Sequence, residues 1–70
     1  MKYAVVLEQG PTSVGATFPD LPGCFAIAPN MNKARKPVAE AIEFHIRCLR
    51  KAGDAVPEPL HHVEDIEVAA

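Results

Sequence analysis

The sequence predicts a small α/β (α+β) domain: a three-stranded antiparallel meander, one helix and a fourth strand, in the order β-β-β-α-β. Three observations carry this. Short apolar runs punctuated by Gly and Pro fill the first 28 residues. Apolar residues then recur at helical spacing from Met31 to Ala52, and a last short apolar run follows at Val63–Val68.

Lys2 to Glu8 reads as the first strand. Tyr3, Val5 and Leu7 point one way and Ala4 and Val6 the other, so both faces are apolar and the strand is expected at the centre of the sheet. Gln9-Gly10-Pro11-Thr12-Ser13 has turn composition, and Val14 to Phe18 is the second strand, antiparallel to the first. Pro19-Asp20-Leu21-Pro22-Gly23 cannot extend a ladder and reads as a rigid loop before the third strand, Cys24 to Ala28. Asn30 is a plausible N-cap and Gly53 the expected stop of a helix between them. Met31, Ala34, Val38, Ala41, Ile42, His45, Leu49 and Ala52 form its apolar stripe, and Glu43 and Arg47 stand as an i,i+4 pair on the other side. Pro37 interrupts the pattern and predicts either a kink or loose first turn, or a helix whose regular part starts there. If the kink serves nothing, Pro37→Ala is expected to add helix and stability. Ala55 to Pro59 is a stiff connector, and Val63 to Val68 the fourth strand, reached by a right-handed crossover and parallel to the first.

Length sets the scale of the core. A 70-residue chain holds one domain, 1–70, and buries only roughly 60% of the surface its unfolded form exposes. Such a chain usually needs a staple or a partner, and the expected state is a homo-oligomer, a dimer or tetramer. No apolar run approaches a membrane span, and the first apolar stretch is too short for a leader peptide, so a cytoplasmic location with reduced thiols at Cys24 and Cys48 is expected.

The net charge of −2 hides an asymmetry. Lys33, Arg35, Lys36, Arg47, Arg50 and Lys51 crowd the helix against only Glu40 and Glu43, whereas Asp54, Glu58, Glu64, Asp65 and Glu67 follow it with no Lys or Arg. The plain reading is a solvated helix face and an acidic tail. Lys33, Lys36, Arg47, Arg50 and Lys51 are also the residues a nucleic-acid contact would use, although the chain has few aromatics for base stacking.

Metal-dependent hydrolysis needs convergent carboxylates. Glu8, Asp20, Glu40 and Glu43 do not converge on this layout. His45 sits within the apolar stripe, and adjacent His61 and His62 point apart in an extended chain. No zinc spacing, phosphate loop or nucleophile elbow is present. No catalytic residue, metal or cofactor is assigned. Phe44, flanking the apolar stripe beside Cys48, suits either a protein contact or the edge of a broad core face.

Four segments together resemble the HicB family of antitoxins: Met1-Lys2-Tyr3-Ala4-Val5-Val6, Phe18-Pro19-Asp20-Leu21-Pro22-Gly23-Cys24, Glu40-Ala41-Ile42-Glu43-Phe44-His45 and Val56-Pro57-Glu58-Pro59. The loop Asp20, Leu21, Pro22, Gly23, Cys24 is the most specific of them. The resemblance implies a partial, catalytically degenerate ribonuclease H-like domain in β-β-β-α-β order. It also implies a non-enzymatic role, neutralising a small basic HicA-type toxin, an mRNA-cleaving ribonuclease, by steric occlusion. Phe44, Glu58, Glu64, Asp65 and Glu67 are the candidate partner-binding residues. The alternatives are a nucleic-acid-associated protein using the basic helix face, and an orphan oligomeric domain. Two departures from the family stand out. A C-terminal DNA-binding module, common in it, has no room before Ala70, so direct DNA binding is not expected. The helix start, Asn32-Lys33-Ala34-Arg35-Lys36-Pro37, is basic where the family is usually acidic.

Overall fold

The computed structural model describes residues 1–69. Three short strands, β1 (Val6–Gln9), β2 (Val14–Thr17) and β3 (Phe25–Ala28), form an antiparallel meander in the order β1-β2-β3. A single 3-10 turn, Met31–Lys33, leads into the one α-helix, α1 (Arg35–Lys51). This is the α+β arrangement of three strands followed by a helix.

The pairing register divides the sheet into two faces. Leu7, Ala16 and Ala26 are cross-strand neighbours on the side that receives α1. Val14 and Ala28 pair on the same side. On the other side lie two rows, Val6–Thr17–Phe25 and Glu8–Gly15–Ile27. Burial follows the alternation. Val14, Ala16, Ala26 and Ala28 are buried, while Phe25 and Ile27 stay about two-thirds exposed, at 67% and 65%. A period of two forces this split, because successive side chains of a strand leave opposite faces.

The core sits between the helix-facing side of β2 and β3, the loop after β2, and α1. Ala16, Phe18, Leu21, Cys24 and Ala26 form its centre, with Tyr3, Val5, Val38, Ala41 and Ile42 packed against them. Three of those five positions carry small side chains, so the helix backbone can approach closely. The Cys24 thiol lies 3.6 Å from the Ala41 carbonyl oxygen. Burial pushes that thiol's pKa up, which makes Cys24 a packing residue rather than a nucleophile. Cys48 is exposed, and both cysteines are free.

Both ends of the helical region are fixed by local chemistry. The Asn30 side-chain oxygen accepts from the Lys33 backbone N–H at 3.0 Å, which caps the 3-10 turn rather than α1 itself. At the other end Gly53 takes φ +79°, Gly53 N–H bonds to the Arg50 carbonyl and Asp54 N–H to that of Leu49. That pair of bonds is a Schellman stop, and it needs a residue at ease in the left-handed region.

Three expectations are corrected. β1 is an edge strand, exposed along its length; β2 is central. α1 packs mainly on β3, leaving β1 half-covered on one side and open on the other. No fourth strand forms among the described residues: 54–69 contain no regular element. Pro57 and Pro59 lack ladder donors, and the His61 N–H is used elsewhere, as described below. Glu43 and Arg47 do not close to an ion pair; the ion pairs among the described residues both involve histidines. Pro37, read from the sequence as a kink, a loose first turn or a helix start, interrupts nothing in α1. It is the third residue of α1, and the loose first turn is the separate 3-10 turn before it.

The position of Pro37 reverses the expected effect of removing it. The first four N–H groups of a helix have no intrahelical partner, so the missing donor costs nothing there. The ring instead restricts the unfolded chain. Pro37→Ala should lower stability by about 0.5 kcal/mol in urea denaturation followed by circular dichroism. A clear gain would show that the ring strains the native turn.

Candidate protein-partner surface

The loop joining β2 to β3 is held by backbone hydrogen bonds of its own. Leu21 N–H bonds to the Phe18 carbonyl and Cys24 N–H to the Leu21 carbonyl, both at 3.1 Å. Two successive turns result, and Gly23 closes the second at φ +82°, a conformation that favours glycine. Phe18, Leu21 and Cys24 thereby point inward, and Leu21 is completely buried. Pro19, Pro22 and Gly23 remain outside.

Asp20 also points inward, a buried carboxylate at 8% exposure. It is satisfied by one residue 41 positions away. One oxygen accepts from the His61 backbone N–H at 3.0 Å, and the other lies 2.7 Å from His61 Nδ1. A carboxylate can only accept, so Nδ1 carries the proton in this pairing. The backbone donor at His61 holds the Asp20 carboxyl below its ordinary pKa, and this outweighs the opposing effect of burial. A second tie lies nearby: the Tyr3 hydroxyl donates to the Pro57 carbonyl at 2.6 Å.

These two ties determine the course of the chain after the helix. Val56, Pro57 and Pro59 are half-buried, and the segment runs beside Lys2–Val5. His62 and Val63 still border Lys2–Val5, and from Leu60 onward every described residue is exposed. Leu60, Val63, Ile66 and Val68 are exposed, at 64% or more, interleaved with exposed Glu64, Asp65 and Glu67. His62 and Glu64 pair at 3.0 Å, both largely in solvent. Glu58 lies between the two ties, and Glu64, Asp65 and Glu67 lie on the exposed arm that follows them. Phe44, 64% exposed, lies on α1, and no hydrogen bond or ion pair among the described residues links it to that arm.

The basic residues are not gathered. Lys33 lies in the 3-10 turn. Lys36, Glu40, Glu43, Arg47 and Arg50, all exposed, fall on one line along α1 at intervals of three or four residues. The line mixes both signs, two acids between flanking bases, which is the pattern of a solvated helix face rather than a phosphate-binding stripe. Arg50 and Lys51 occupy the last turn, where they complement the helix dipole. His45 is half-buried, as its place in the apolar stripe implies. Among the described residues no three His, Cys, Asp or Glu side chains come together as a metal site, and no helix is long and apolar enough to cross a membrane.

The sequence profile described as a HicB-like antitoxin of bacterial toxin-antitoxin systems matches residues 3–69, nearly the whole chain and including both the turn loop and the arm. The chain belongs to the HicB-like antitoxin family. It is also similar to the uncharacterized 14.9 kDa protein in the rep-hol intergenic region of Haemophilus phage HP1 (strain HP1c1), 29% identical over 58 residues. That match covers 83% of this chain and 44% of the phage protein, so the chain spans under half of this relative's length. No solved structure matches.

For this HicB-like chain, the sequence singled out the Asp20–Cys24 loop but not His61 as its partner. No periodic signal joins residues so far apart. The one available cue was an acid that sits inside a Pro-rich loop between two apolar residues, Pro19 and Leu21.

Because its pKa is lowered on folding, the Asp20 carboxylate contributes stability above the ordinary carboxylate pKa, and that contribution is lost as pH falls through the lowered value. The arm should therefore be held at pH 7 and released on acidification below about pH 4. Asp20→Ala should release it already at neutral pH. The amide and ring signals of His61 in NMR read this directly, as a shift toward random-coil positions. An Asp20→Ala protein with unchanged His61 signals would show that the tie does not hold the arm.

Proposed function

We propose that this protein is an antitoxin that neutralises a HicA-type mRNA-cleaving ribonuclease by steric occlusion, without chemistry of its own. In this reading the arm after α1 is laid over the toxin's RNA-binding surface. The observation that carries it is the arm itself: apolar and acidic side chains alternate along an exposed segment whose base is tied down at Pro57 and His61. A surface built to hold RNA is basic, and Glu64, Asp65 and Glu67 complement it, which favours fast, steered association. Val63, Ile66 and Val68 supply the apolar area that a lasting complex requires. The two ties reduce the length of chain that must be ordered on binding, and so reduce the entropic cost. The domain beneath is read as a partial ribonuclease H-like fold in which the position of Asp20, a tie to the arm, replaces any catalytic use of that carboxylate. Its place of action is the cytoplasm.

The mixed charge along α1 gives the nucleic-acid reading no support beyond composition. An orphan domain without a toxin is distinguished by experiment.

The test is a pull-down of the tagged chain from its own cells, with and without ribonuclease, followed by binding kinetics with the partner recovered. A small basic protein that survives ribonuclease treatment is expected. Charge reversal of Glu64, Asp65 and Glu67 to Lys should slow its association at least tenfold at low salt and flatten the salt dependence. Recovery of RNA alone, or a partner indifferent to the reversal, contradicts the proposed contact.

A further inference from the structure

Because α1 leaves the edge strand half-covered, a groove runs between the two. Its strand wall is Leu7 and, just before β1, Val5, both on the helix-facing side. Its helix wall is Val38 and Ile42, which stand with Ala34 at i, i+4 and i+8 and so form one ridge. The space between is about 360 Å³. Val5, Val38 and Ile42 are half-buried, while Leu7 remains exposed. The one charged residue of the lining is Arg35, which shares the exposed lip with Ala39, one turn on. Arg35 makes no ion pair among the described residues.

The backbone beside the groove is open too. β1 pairs with β2 alone, so its outer edge presents N–H and C=O groups without a ladder partner. Val6–Gln9 has no Pro, no Lys and no bulge to blunt that edge, and its one charge, Glu8, lies on the other face of the sheet with Gly15 and Ile27. An unblunted edge with an apolar groove along it receives an extended peptide as an added strand: main-chain bonds hold the peptide, and alternate side chains enter the groove. Charge selects which peptide. Lys33, Arg35 and Lys36 crowd the start of the helical region, and neither the 3-10 turn nor α1 has an acid in its first turn. Glu40 and Glu43 lie on the outer line of α1 and are not part of the lining. A basic segment is therefore repelled here and an acidic one attracted. A nucleic acid finds apolar walls with no aromatic side chain on which to stack a base.

We propose that the groove between β1 and α1 receives an extended, acidic segment of another protein, added as a strand to the outer edge of β1. Side chains of an added strand alternate between the two sides of the sheet. Two apolar residues of the segment, two positions apart, lie against the ridge of Ala34, Val38 and Ile42, and an Asp or Glu on the same side, two positions further, reaches Arg35. The inference goes beyond the antitoxin reading and does not depend on it. The arm offers acids to a basic partner, whereas this groove takes acids from a different one.

The test is amide NMR of the isotopically labelled full-length chain, titrated with the synthetic peptide Ser-Val-Thr-Val-Thr-Glu-Ser and with the same residues in reverse order. Both peptides are capped at each end, so that only a side chain supplies the carboxylate. Saturable shifts at Val6–Gln9 and at residues 34–42 are expected with one of the two orders. Changing the peptide's Glu to Lys should weaken binding at least tenfold, and Arg35→Glu in the protein should reverse that preference. Ala39→Phe, on the exposed lip, should weaken binding at least tenfold with circular dichroism unchanged. N-methylation of one alternate set of peptide amides should abolish binding and of the other set spare it, because one edge of a strand faces β1. No saturable shift with either order, binding indifferent to Arg35→Glu and Ala39→Phe in folded protein, or tolerance of both methylated sets overturns the proposal. Binding that appears only after Glu64, Asp65 and Glu67 are changed to Lys also overturns it, since the chain's own arm would then be the occupant. So do shifts of the groove amides that follow protein concentration without peptide, since the occupant would then be a second copy.

Discussion

One helix can cover one side of a sheet, and this constraint shapes the rest of the molecule. The chain uses α1 on the side of β2 and β3 that presents Val14, Ala16, Ala26 and Ala28. Small residues at those places draw the helix close, and the gain is a tight core of few residues. The consequence is that β1 is only partly covered and that, among the described residues, Phe25 and Ile27 stay largely exposed. A larger α/β protein would put a second helix there. Here the open face and the projecting arm are the surfaces left for other molecules.

The second organising interaction is the burial of Asp20. A carboxylate taken into a protein interior must be paired and hydrogen-bonded to remain ionised. His61 supplies both a backbone and a ring donor. The segment after the helix is consequently bound to the loop before β3 rather than to the sheet edge, and its acidic half projects from a fixed point. The geometry of that loop gives the Asp20 carboxylate a structural use.

Much of this was legible in the residues. Turn chemistry at Gly10–Ser13 and Pro19–Gly23 located the three strands, and Gly53 located the helix end, because these signals are local. The sequence also resembled the right family across four segments. What could not be read was pairing between distant segments. The two-sided apolar character of Tyr3–Leu7 suggested a central strand, yet Tyr3 and Val5 reach the core from outside the ladder while Val6 and Leu7 lie at its edge. Val63, Ile66 and Val68 suggested a strand by composition, but composition does not report that the His61 N–H is already bound to a side chain. The basic count in the helix suggested a patch, and only the order Lys36, Glu40, Glu43, Arg47, Arg50 along one line dispersed it. For the partner residues the signal is charge and exposure alone, which locates a surface without naming what it meets.

The arrangement of strands and arm is tested most directly by native-state amide hydrogen exchange across the whole chain. A sheet centred on β2, with the arm held by a side chain, predicts the slowest strand amides in Val14–Thr17 and a single protected arm amide at His61, with 63–68 exchanging freely. A continuous ladder of slow amides through 63–68, matched by equal protection along β1, would contradict it, because the arm would then be a fourth strand and β1 the centre of the sheet.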